Sequence, residues 1–584
     1  MKTKQYVKAL GLASVITLAS TALIGSHNIA TQHNIPQFAG DSAHLAGFGF
    51  HQNNSASHLT PLDTSAAGQQ EIPFVITLNL RHENKLNQLI LDQANPSSPH
   101  FQKYLSVKEF TRRFGPTTRH YLDVINYLTS NGIRIMAVTP NQLLIKGEGT
   151  SAQLNKLFGV EAGVYQTPNG KVVFKSLNKP EVPSSLSGFV KNVIVQNSLG
   201  YYHYQDNLTI NYQAPIGTPT GYGPQELNTV YNYPNMNNQD EPTGKVYSGH
   251  GVTIGIATAQ TYSLADVDAY WDQFGITRTG TLTKVSIGGK SHTLNIETTL
   301  DTEQIGSDVP GANIIVYEAR NPSSLDFALM FNRIVTDNKV SVLSHSWGSA
   351  ENQTSTADMA TENEIFQEAA AQGIAVFAAS GDSGAYDTNN GFLGFQSNVP
   401  SVDFPSSDPY VVAVGGTTLV LNTDDSRDLE AAWNGSGGGM SSFFARPVWQ
   451  VGPGVPHNNQ RNSADVAMDA DPNTGMPILY QNQWIEAGGT SFAAPNWAAG
   501  WALAVEAAHH RIGMPDLYLY KIGASKDYSS IFYDVTYGNN GDNGVGPGYN
   551  AGVGYDHPTG WGTPNMAKLI QWLVNYRAMP QAVA

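Results

Sequence analysis

Between residues 224 and 575 the sequence contains short, continuously apolar runs that alternate with segments of helical periodicity. The runs lie at 252–257, 314–317, 340–343 and 374–379. A strand that is apolar on both faces is buried on both faces, which is typical of a parallel sheet covered by helices. These runs therefore predict an α/β domain whose functional residues lie at the carboxyl ends of its strands.

The preceding part of the chain has a different pattern, which predicts a small domain of mixed α and β structure over residues 71–203. Residues 74–80 alternate like a half-buried strand, and residues 151–158 have helical spacing with a Ser/Thr cap at their start. The other predicted elements of this domain are helices at 85–93 and 121–131 and strands at 134–138 and 143–146.

Residues 1–25 have the pattern of an export signal. Lys2, Lys4 and Lys8 precede an apolar stretch over residues 9–24 that is too short for a comfortable membrane span. An uncleaved anchor is the alternative interpretation. No later segment is apolar and long enough to cross a bilayer, so we expect a secreted protein without stable membrane association.

Two polar stretches separate these parts of the chain. Residues 26–70 are rich in Ser, His, Asn, Gln and Gly without periodicity, which predicts a loose leader. Residues 204–223 carry Pro and Gly and are predicted to be a linker. The chain has no cysteine, so a secreted fold here must be stabilised by core burial or by a metal ion, and not by disulfides.

The charge balance excludes one broad class of partner. Lys and Arg number 32 against 47 Asp and Glu, and the formal net charge is -15. This balance gives no basic surface for nucleic acid. With few basic groups, the chain also builds up little positive self-repulsion once its carboxylates are protonated, which suits a protein that works in acid. Ordinary drift of surface composition is an equally good explanation of this balance taken alone.

The strongest single motif is Gly488-Gly489-Thr490-Ser491 followed by Phe492 to Pro495, at the start of a long apolar helix. A small-residue turn that leads into a helix presents the Ser491 hydroxyl at the helix N-terminus, where the dipole favours developing negative charge. A serine that merely caps the helix is the alternative. The motif is the serine signature of subtilisin-like folds, so Ser491 is a candidate nucleophile.

The base that such a serine needs is not an obvious histidine. Subtilisin-like enzymes place an aspartate at the end of the first core strand, whereas here the run 252–257 leads into Thr258. His250 lies in a glycine-rich turn before that run. His345 follows another apolar run and remains a candidate base.

Carboxyl groups are the better candidates. Glu297 and Asp301 are four residues apart, so on a helix they share one face and can share a proton as a coupled pair. A solvated helix face is the alternative, and the neighbouring Glu303 favours it. Asp382 lies in a glycine-flanked turn after an apolar run, and a protonated aspartic acid there could donate a hydrogen bond to an oxyanion, or could simply stabilise the turn.

In combination these motifs resemble the sedolisin family of serine-carboxyl peptidases, and its kumamolisin-like members in particular. The resemblance covers nearly the whole chain, with residues of about 70–200 similar to the activation propeptide of that family. The matching motifs are Glu297-x-x-x-Leu300-Asp301, Ser346-Trp347-Gly348, Ser380 to Gly384, Phe404-Pro405-Ser406, Val414 to Thr417, Gly437 to Gly439, Arg446-Pro447-x-Trp449-Gln450 and Gly488 to Ser491.

The resemblance implies a subtilisin-like parallel-sheet catalytic domain over residues 224–575, preceded by a ferredoxin-like prodomain. It implies that Ser491 is the nucleophile, Glu297 the base, Asp301 its partner and Asp382 the oxyanion donor. The sequence departs from the family at Phe492-Ala493, at His345 and at Asp308, which puts the subsite preference in doubt.

The resemblance also implies one structural Ca²⁺ ion near the C-terminus. Its ligands would be the side chains of Asp534 and Asp556 and the carbonyl oxygens of Val535, Gly552 and Gly554. Carboxylate and carbonyl oxygens form the hard-oxygen cage that Ca²⁺ prefers. On composition alone, the loop between the two aspartates reads as a flexible polar segment.

The sequence therefore predicts a monomeric, secreted serine endopeptidase that hydrolyses proteins or peptides in acid and is made as a zymogen inhibited by its own propeptide. One alternative is a tripeptidyl-peptidase of the same family. A second is an inactive secreted binding protein that has kept the fold, which the presence of all four site residues disfavours.

Overall fold

The computed structural model describes residues 60–61, 70–166, 172–197, 203–204, 219–235, 246–389, 397–541 and 546–576. The predicted export signal, almost all of the predicted leader and most of the predicted linker lie outside the described residues. Within the described part, no helix has both the length and the apolar character needed to span a membrane.

Thirteen helices occur in the described residues. They are α1 Glu83–Gln93, α2 Val107–Arg113, α3 Thr118–Ser130, α4 Ser151–Phe158, α5 Pro224–Val230, α6 Leu264–Gln273, α7 Ile296–Asp308, α8 Ser324–Asp337, α9 Thr356–Ala371, α10 Thr490–Ala508, α11 Asp516–Gly523, α12 Tyr528–Ile531 and α13 Met566–Asn575.

Strands β1 to β12 are β1 Thr60–Pro61, β2 Glu71–Leu78, β3 Arg134–Val138, β4 Leu144–Thr150, β5 Ala162–Gln166, β6 Val172–Ser176, β7 Val190–Val195, β8 His203–Tyr204, β9 Thr253–Ala259, β10 Leu282–Ile287, β11 Asn313–Ala319 and β12 Val342–His345. The remaining strands are β13 Trp347–Ala350, β14 Ala375–Ala379, β15 Asp403–Phe404, β16 Val412–Leu421, β17 Arg427–Ala432, β18 Gly439–Ala445, β19 Gln460–Ser463, β20 Val466–Asp469, β21 Met476–Tyr480, β22 Gln483–Ala487, β23 Phe532–Tyr533 and β24 Thr563–Pro564.

A parallel sheet forms the centre of the larger part of the molecule. Its strand order is β10-β11-β9-β12-β14-β16-β17, with β20 also paired to β16, and only the β16–β17 pair is antiparallel. Every residue of β12 and β14 is buried, because α7 and α10 pack together on the sheet while α8 and α9 also pack against it. The predicted α/β architecture with a parallel sheet is confirmed.

Helix α10 is the central helix of this part. Sixteen of its 19 residues are buried, among them Trp497 and Trp501. It packs against α7 and against β12, β14, β16 and β20, so its N-terminus is held at the carboxyl edge of the sheet. The helix begins at Thr490, two residues before the predicted start.

The N-terminal part folds around a four-stranded antiparallel sheet of order β3-β4-β2-β7. Helices α3 and α4 pack on it, and their core includes an edge-to-face contact between Phe74 and Phe158. Thr150 is the N-cap of α4, and its hydroxyl accepts a hydrogen bond from the backbone N–H of Gln153. The predicted small α+β domain is therefore present as an N-terminal unit with small sheets.

This N-terminal unit docks on α9 of the parallel-sheet domain. Helix α1 and strand β7 pack against α9, and buried polar contacts support the apolar ones. Thr77 Oγ1 lies 2.8 Å from Thr361 Oγ1, and Asn141 Nδ2 donates to Glu368 Oε2 at 2.7 Å. Lys191 Nζ lies 3.1 Å from Glu364 Oε1. The interface is thus specified by hydrogen bonds as well as by burial.

Many carboxyl groups are buried, and burial disfavours their charged form. Burial raises the pKa of Asp301 and of Glu368 to about 8, against the hydrogen bonds from Ser346 and Asn141 that lower it. Burial likewise raises the pKa of Asp308, Glu364, Asp387 and Asp408 to about 7, and that of Asp358 to about 6. These groups are neutral when the protein is in acid.

We expect the fold to be more stable in acid than at mildly alkaline pH. The native pKa of each of these carboxyls exceeds its unfolded value, so its contribution is complete below about pH 4 and is lost as pH rises through 6 to 8. Burial lowers the pKa of His345 and His557 to about 4, so these two groups oppose the trend as pH falls from about 6.5 to 4, but the seven carboxyl groups outnumber them. Calorimetry of the Ser491→Ala chain, which cannot digest itself, should give a Tm at pH 4.5 about 5 °C or more above that at pH 8. A Tm that rises toward pH 8 would contradict the assignment.

Candidate active site

Ser491 is the second residue of α10 and is almost fully buried, at 2% exposure. The turn before it needs glycine. Gly489 has φ of 140°, and a Cβ on Gly488 would lie 2.4 Å from Pro472 N. The helix cap is Gly489, so Ser491 is not the capping residue. Its hydroxyl lies 3.5 Å from the carbonyl oxygen of Ser346.

Glu297 and Asp301 lie on the first turns of α7, which packs against α10. Asn295 is the N-cap of this helix, and its Oδ1 accepts a hydrogen bond from the backbone N–H of Glu297 at 2.8 Å. Both carboxyl groups are buried, with 1% and 0% exposure, so the solvated-face interpretation of this helix is wrong. Glu303 is buried as well and accepts from the backbone N–H of Leu479.

Ser346 connects Asp301 to the nucleophile. Its hydroxyl donates to Asp301 Oδ1 at 2.8 Å, and it lies 3.5 Å from the carbonyl oxygen of Ser491. The residue sits between β12 and β13, at the carboxyl edge of the sheet. Burial raises the pKa of Asp301 to about 8, while the Ser346 hydrogen bond lowers it. Asp301 therefore holds its proton through the acidic range.

Asp382 lies directly after β14 in the Ser380–Gly384 turn and is held against the start of α10. Its Oδ1 accepts from the backbone N–H of Thr490 at 2.7 Å and from Thr490 Oγ1 at 2.8 Å. The Thr490 hydroxyl in turn accepts from the backbone N–H of Gly381 at 3.2 Å. These contacts fix the carboxyl group beside the residue that precedes Ser491.

The two histidines considered as bases lie in different surroundings. His250 is exposed in its turn. His345 is buried, with Nδ1 2.7 Å from the carbonyl oxygen of Ala257 and with its ring against Phe327 and Phe331. Burial lowers its pKa to about 4. Its described contacts are structural and do not include Ser491.

Ser346 and Thr490 were not singled out as site residues by the sequence. Each occurs in one of the motifs given above, but nothing in the sequence around a serine or threonine hydroxyl indicates which side chain it will contact. Thr258, where subtilisin-like enzymes have an aspartate, binds Trp347: the indole Nε1 donates to Thr258 Oγ1 at 3.0 Å. The same hydroxyl lies 2.8 Å from Thr298 Oγ1 on α7. These contacts fix β13 and α7 relative to β9.

The C-terminal loop brings the two predicted metal ligands together. Asp534 accepts from the backbone N–H of Gly554 at 3.0 Å, and Asp556 accepts from that of Gly552 at 2.9 Å. Burial raises the pKa of Asp556 to about 7 against the lowering hydrogen bonds from Gly552 and Thr559, and the charge of Asp534 adds a small part of the rise. Two carboxyl groups whose charges repel within one folded loop fit a cation between them. No group of three or more acidic, His or Cys side chains suited to a metal occurs in the described residues.

The fold and the site together define a serine-type peptidase. The nucleophile stands at a helix N-terminus on the carboxyl edge of a parallel sheet, with buried carboxyl groups around it. Family models agree: residues 62–198 match the Pro-kumamolisin activation domain, and residues 221–517 match the subtilase family.

Individual relatives identify the family. The chain is 31% identical to sedolisin of Pseudomonas sp. (strain 101) over 89% of each chain. It is 28% identical to kumamolisin of Bacillus sp. (strain MN-32), over 87% of this chain and 92% of that one. Tripeptidyl-peptidase 1 of Mus musculus is 27% identical with the same coverage.

The solved structure of Pseudomonas sedolisin, a serine-carboxyl proteinase complexed with two molecules of pseudo-iodotyrostatin, superposes with a TM-score of 0.54 at 31% identity. The match covers 61% of this chain and 99% of that one. The chain belongs to the sedolisin family, and its N-terminal unit is the activation propeptide.

Replacing Glu297 by Gln should reduce kcat/KM by about 10³-fold, because an amide cannot accept the serine proton. The matched substitution His345→Asn keeps a donor toward Ala257 and should leave kcat/KM within about threefold of wild type. Both are measured as precursor self-processing and as peptide hydrolysis at pH 4. A reversal of these two effects would make His345 the base.

Proposed function

We propose that this chain is a secreted, monomeric serine-carboxyl endopeptidase that hydrolyses peptide bonds of proteins in acid. The observation that carries the proposal is the chain of contacts from Asp301 through Ser346 to Ser491, with Asp382 bound to Thr490 on the other side. These contacts support a mechanism in which carboxyl groups do the proton transfer that a histidine does in other serine peptidases. Secretion is supported by the signal pattern of residues 1–25.

In the proposed mechanism Glu297 accepts the Ser491 proton as Oγ attacks the substrate carbonyl carbon. Asp301 holds Glu297 in position and keeps its own proton. The oxygen of the tetrahedral intermediate becomes negative and accepts a hydrogen bond from the protonated carboxyl group of Asp382. Glu297 then gives its proton to the leaving amine, and an acyl-enzyme remains on Ser491. Water resolves the acyl-enzyme by the same proton transfers.

Acid suits both requirements of this scheme. A glutamate base has a reference pKa near ~4.3, whereas that of histidine is near ~6.5, so the carboxylate stays competent where imidazole is protonated. Asp382 must keep a proton to donate it. Activity is therefore expected to fall as pH rises from 5 toward 8.

The end of the propeptide supports self-processing. Strand β8, His203–Tyr204, pairs antiparallel with β13, whose first residue follows Ser346. An extended segment placed along this strand lies beside the nucleophile, as a substrate backbone added to a sheet edge would. The pairing of β8 with the strand that follows Ser346 supports the proposal that the end of the propeptide reaches the nucleophile.

The docking interface does not itself explain release in acid. Burial raises the pKa of Glu364 and Glu368 to about 7 and about 8 where the propeptide covers them. A raised pKa in the docked state means that protonation favours docking, so these groups hold the propeptide more firmly in acid than at neutral pH. We infer that activation depends on cutting the 200–215 region and not on dissociation of an uncut propeptide.

One experiment tests these points together: a pH–rate profile on a protein substrate, with the purified precursor and its Ser491→Ala variant. The precursor should lose its propeptide at pH 3–4 and then hydrolyse the substrate with an optimum well below neutrality. The Ser491→Ala chain should stay intact and inactive. Activity that increases steadily to pH 8, or full activity in an uncut precursor, would refute the scheme.

A blocked substrate distinguishes an endopeptidase from a tripeptidyl-peptidase. Acetylation of the substrate N-terminus should leave the initial rate of the activated enzyme within about twofold, because an endopeptidase does not bind the free amine. Loss of hydrolysis would instead favour the tripeptidyl activity named for the Mus musculus relative.

We also propose that Asp534 and Asp556 hold one Ca²⁺ ion, together with carbonyl oxygens of Val535, Gly552 and Gly554. The ion would balance the two carboxylates and tie the loop that contains Gly552 and Gly554 to the end of β23. Its role is structural, and no catalytic step passes through it.

Removal of Ca²⁺ by a chelator should lower the Tm at pH 5 by about 5 °C, as expected for loss of a ligand bound only to the native state. The variant Asp556→Asn should show the lower Tm with or without added Ca²⁺. The exposed Asp424→Asn change serves as the control and should keep the calcium response. Identical Tm values with and without calcium in the wild type would exclude the site.

A further inference from the structure

A second pair of buried carboxyl groups lies behind the Asp382 turn. Asp387 and Asp403 have 0% exposure, and both side chains lie against Gly381, where an added Cβ would be 2.8 Å from Asp387 Oδ1 and 3.5 Å from Asp403 Cβ. Two carboxyl groups packed this closely require a proton on one of them, because two carboxylates there would repel. This pair is separate from Glu297 and Asp301 and has no part in the mechanism described above.

The pair connects two backbone segments that carry the active site. A Cβ on Gly381, the residue before Asp382, would lie 2.8 Å from Asp387 Oδ1. A Cβ on Gly348, in β13, would lie 1.9 Å from Asp403 Oδ1. Each carboxyl group therefore packs directly against backbone at a position where a side chain would displace it.

The surrounding structure fixes both residues. Asp387 begins a single 3₁₀ turn, Asp387–Asn389, which packs on β13. Asp403 begins β15, where it is the backbone partner of Ala350 in β13. The loop that carries Asp382 and the strand that follows Ser346 thus meet at this pair of carboxyl groups.

We propose that Asp387 and Asp403 share one proton and are positioning residues that hold the Asp382 turn against β13. The inference rests on the proposed oxyanion role of Asp382. The shared proton closes the loop so that the Asp382 carboxyl stays on Thr490, opposite the reacting carbonyl. When that proton is lost, the two negative charges separate the segments and the oxyanion donor is displaced.

The electrostatic surroundings agree with this role. Burial raises the pKa of Asp387 to about 7, and the neighbouring Asp403 side chain lowers it. The other carboxyl groups of the packed elements face elsewhere: Asp382 accepts from Thr490, and Glu351, which follows β13, accepts from Ser441 and Ser442. Among the described residues no cation contributes to the pKa of Asp387, so a proton is what balances the pair.

Asn352, Gln353, Thr388 and Ser401, which form further hydrogen bonds among the described residues of this loop, are uncharged. Loss of the proton near neutrality is therefore not compensated by any of these neighbours.

The test compares Asp403→Ala with Asp403→Asn in the activated enzyme. Asp403→Ala should reduce kcat at pH 4 by 10-fold to about 10²-fold with KM within about twofold, because a displaced oxyanion donor affects the transition state and not binding. Asp403→Asn should restore kcat to within about threefold, since its amide donates to Asp387 without the shared proton. Its kcat should also decline less steeply between pH 5 and pH 8 than that of the wild type.

Asp408→Asn is the matched control. Asp408 is equally buried, and burial likewise raises its pKa to about 7, but it accepts from Tyr410 and Asn363 away from the active site. This variant should keep the wild-type pH profile of kcat. If Asp403→Ala fails to fold, the profile of Asp403→Asn against wild type and Asp408→Asn decides alone.

Three results would overturn the inference. Asp403→Asn could be as impaired as Asp403→Ala, or its pH profile could equal that of the wild type; neither fits a shared proton. An effect confined to KM, with altered side-chain preference at the cleaved bond, would make the pair part of a substrate subsite. The variant Asp382→Ala distinguishes failure of this inference from failure of the proposed function. If Asp382→Ala keeps the wild-type kcat, Asp382 is not the oxyanion donor. If Asp382→Ala has a reduced kcat while Asp403→Ala keeps the wild-type value, only the positioning role of Asp387 and Asp403 is excluded.

Discussion

The burial of carboxyl groups without cations is the constraint on which this molecule depends. A carboxylate in the interior is costly, so each such group must hold a proton, share one, or accept hydrogen bonds from backbone and hydroxyl groups. Asp301 accepts a hydrogen bond from the Ser346 hydroxyl, Asp382 accepts one from the Thr490 hydroxyl, and Asp387 pairs with Asp403. Burial raises the pKa of Asp301 and of Asp387, so both groups are neutral in acid. The acid stability expected on these grounds and the acid chemistry proposed above would have the same physical origin.

The fold contributes the convergence of these groups. Parallel strands end at one edge of the sheet, so β12, β14 and the turn before α10 deliver Ser346, Asp382 and Ser491 to one place. Helix α7 adds Glu297 and Asp301 by packing on α10. The same edge accepts the propeptide strand β8 along β13. The end of the propeptide therefore lies along the strand that follows Ser346, which is the edge on which the proposed self-processing depends.

Much of this could be predicted from the sequence. Apolar runs gave the parallel strands, because burial on both faces leaves no alternation, and the spacing of Glu297 and Asp301 gave a shared helix face. The small α+β prodomain and the serine at the start of a helix were also predicted. Helix α2 was not, since Val107–Arg113 is short and mostly polar. The spacing alone allowed Glu297 and Asp301 to be solvent-facing, and only the packing of α7 against α10 shows them buried.

The sequence by itself determined the α/β and α+β character of the two domains, most of their strands and helices, and the family, because periodicity and short motifs are local properties. The tertiary structure alone decided that Ser346 joins Asp301 to Ser491, that His345 is enclosed by Phe327 and Phe331, and that Asp387 meets Asp403. Each of these pairings joins residues that are distant in the chain or whose side-chain direction is fixed by packing. Burial, which sets the protonation of every one of these groups, arises only when the sheet and its helices close around them.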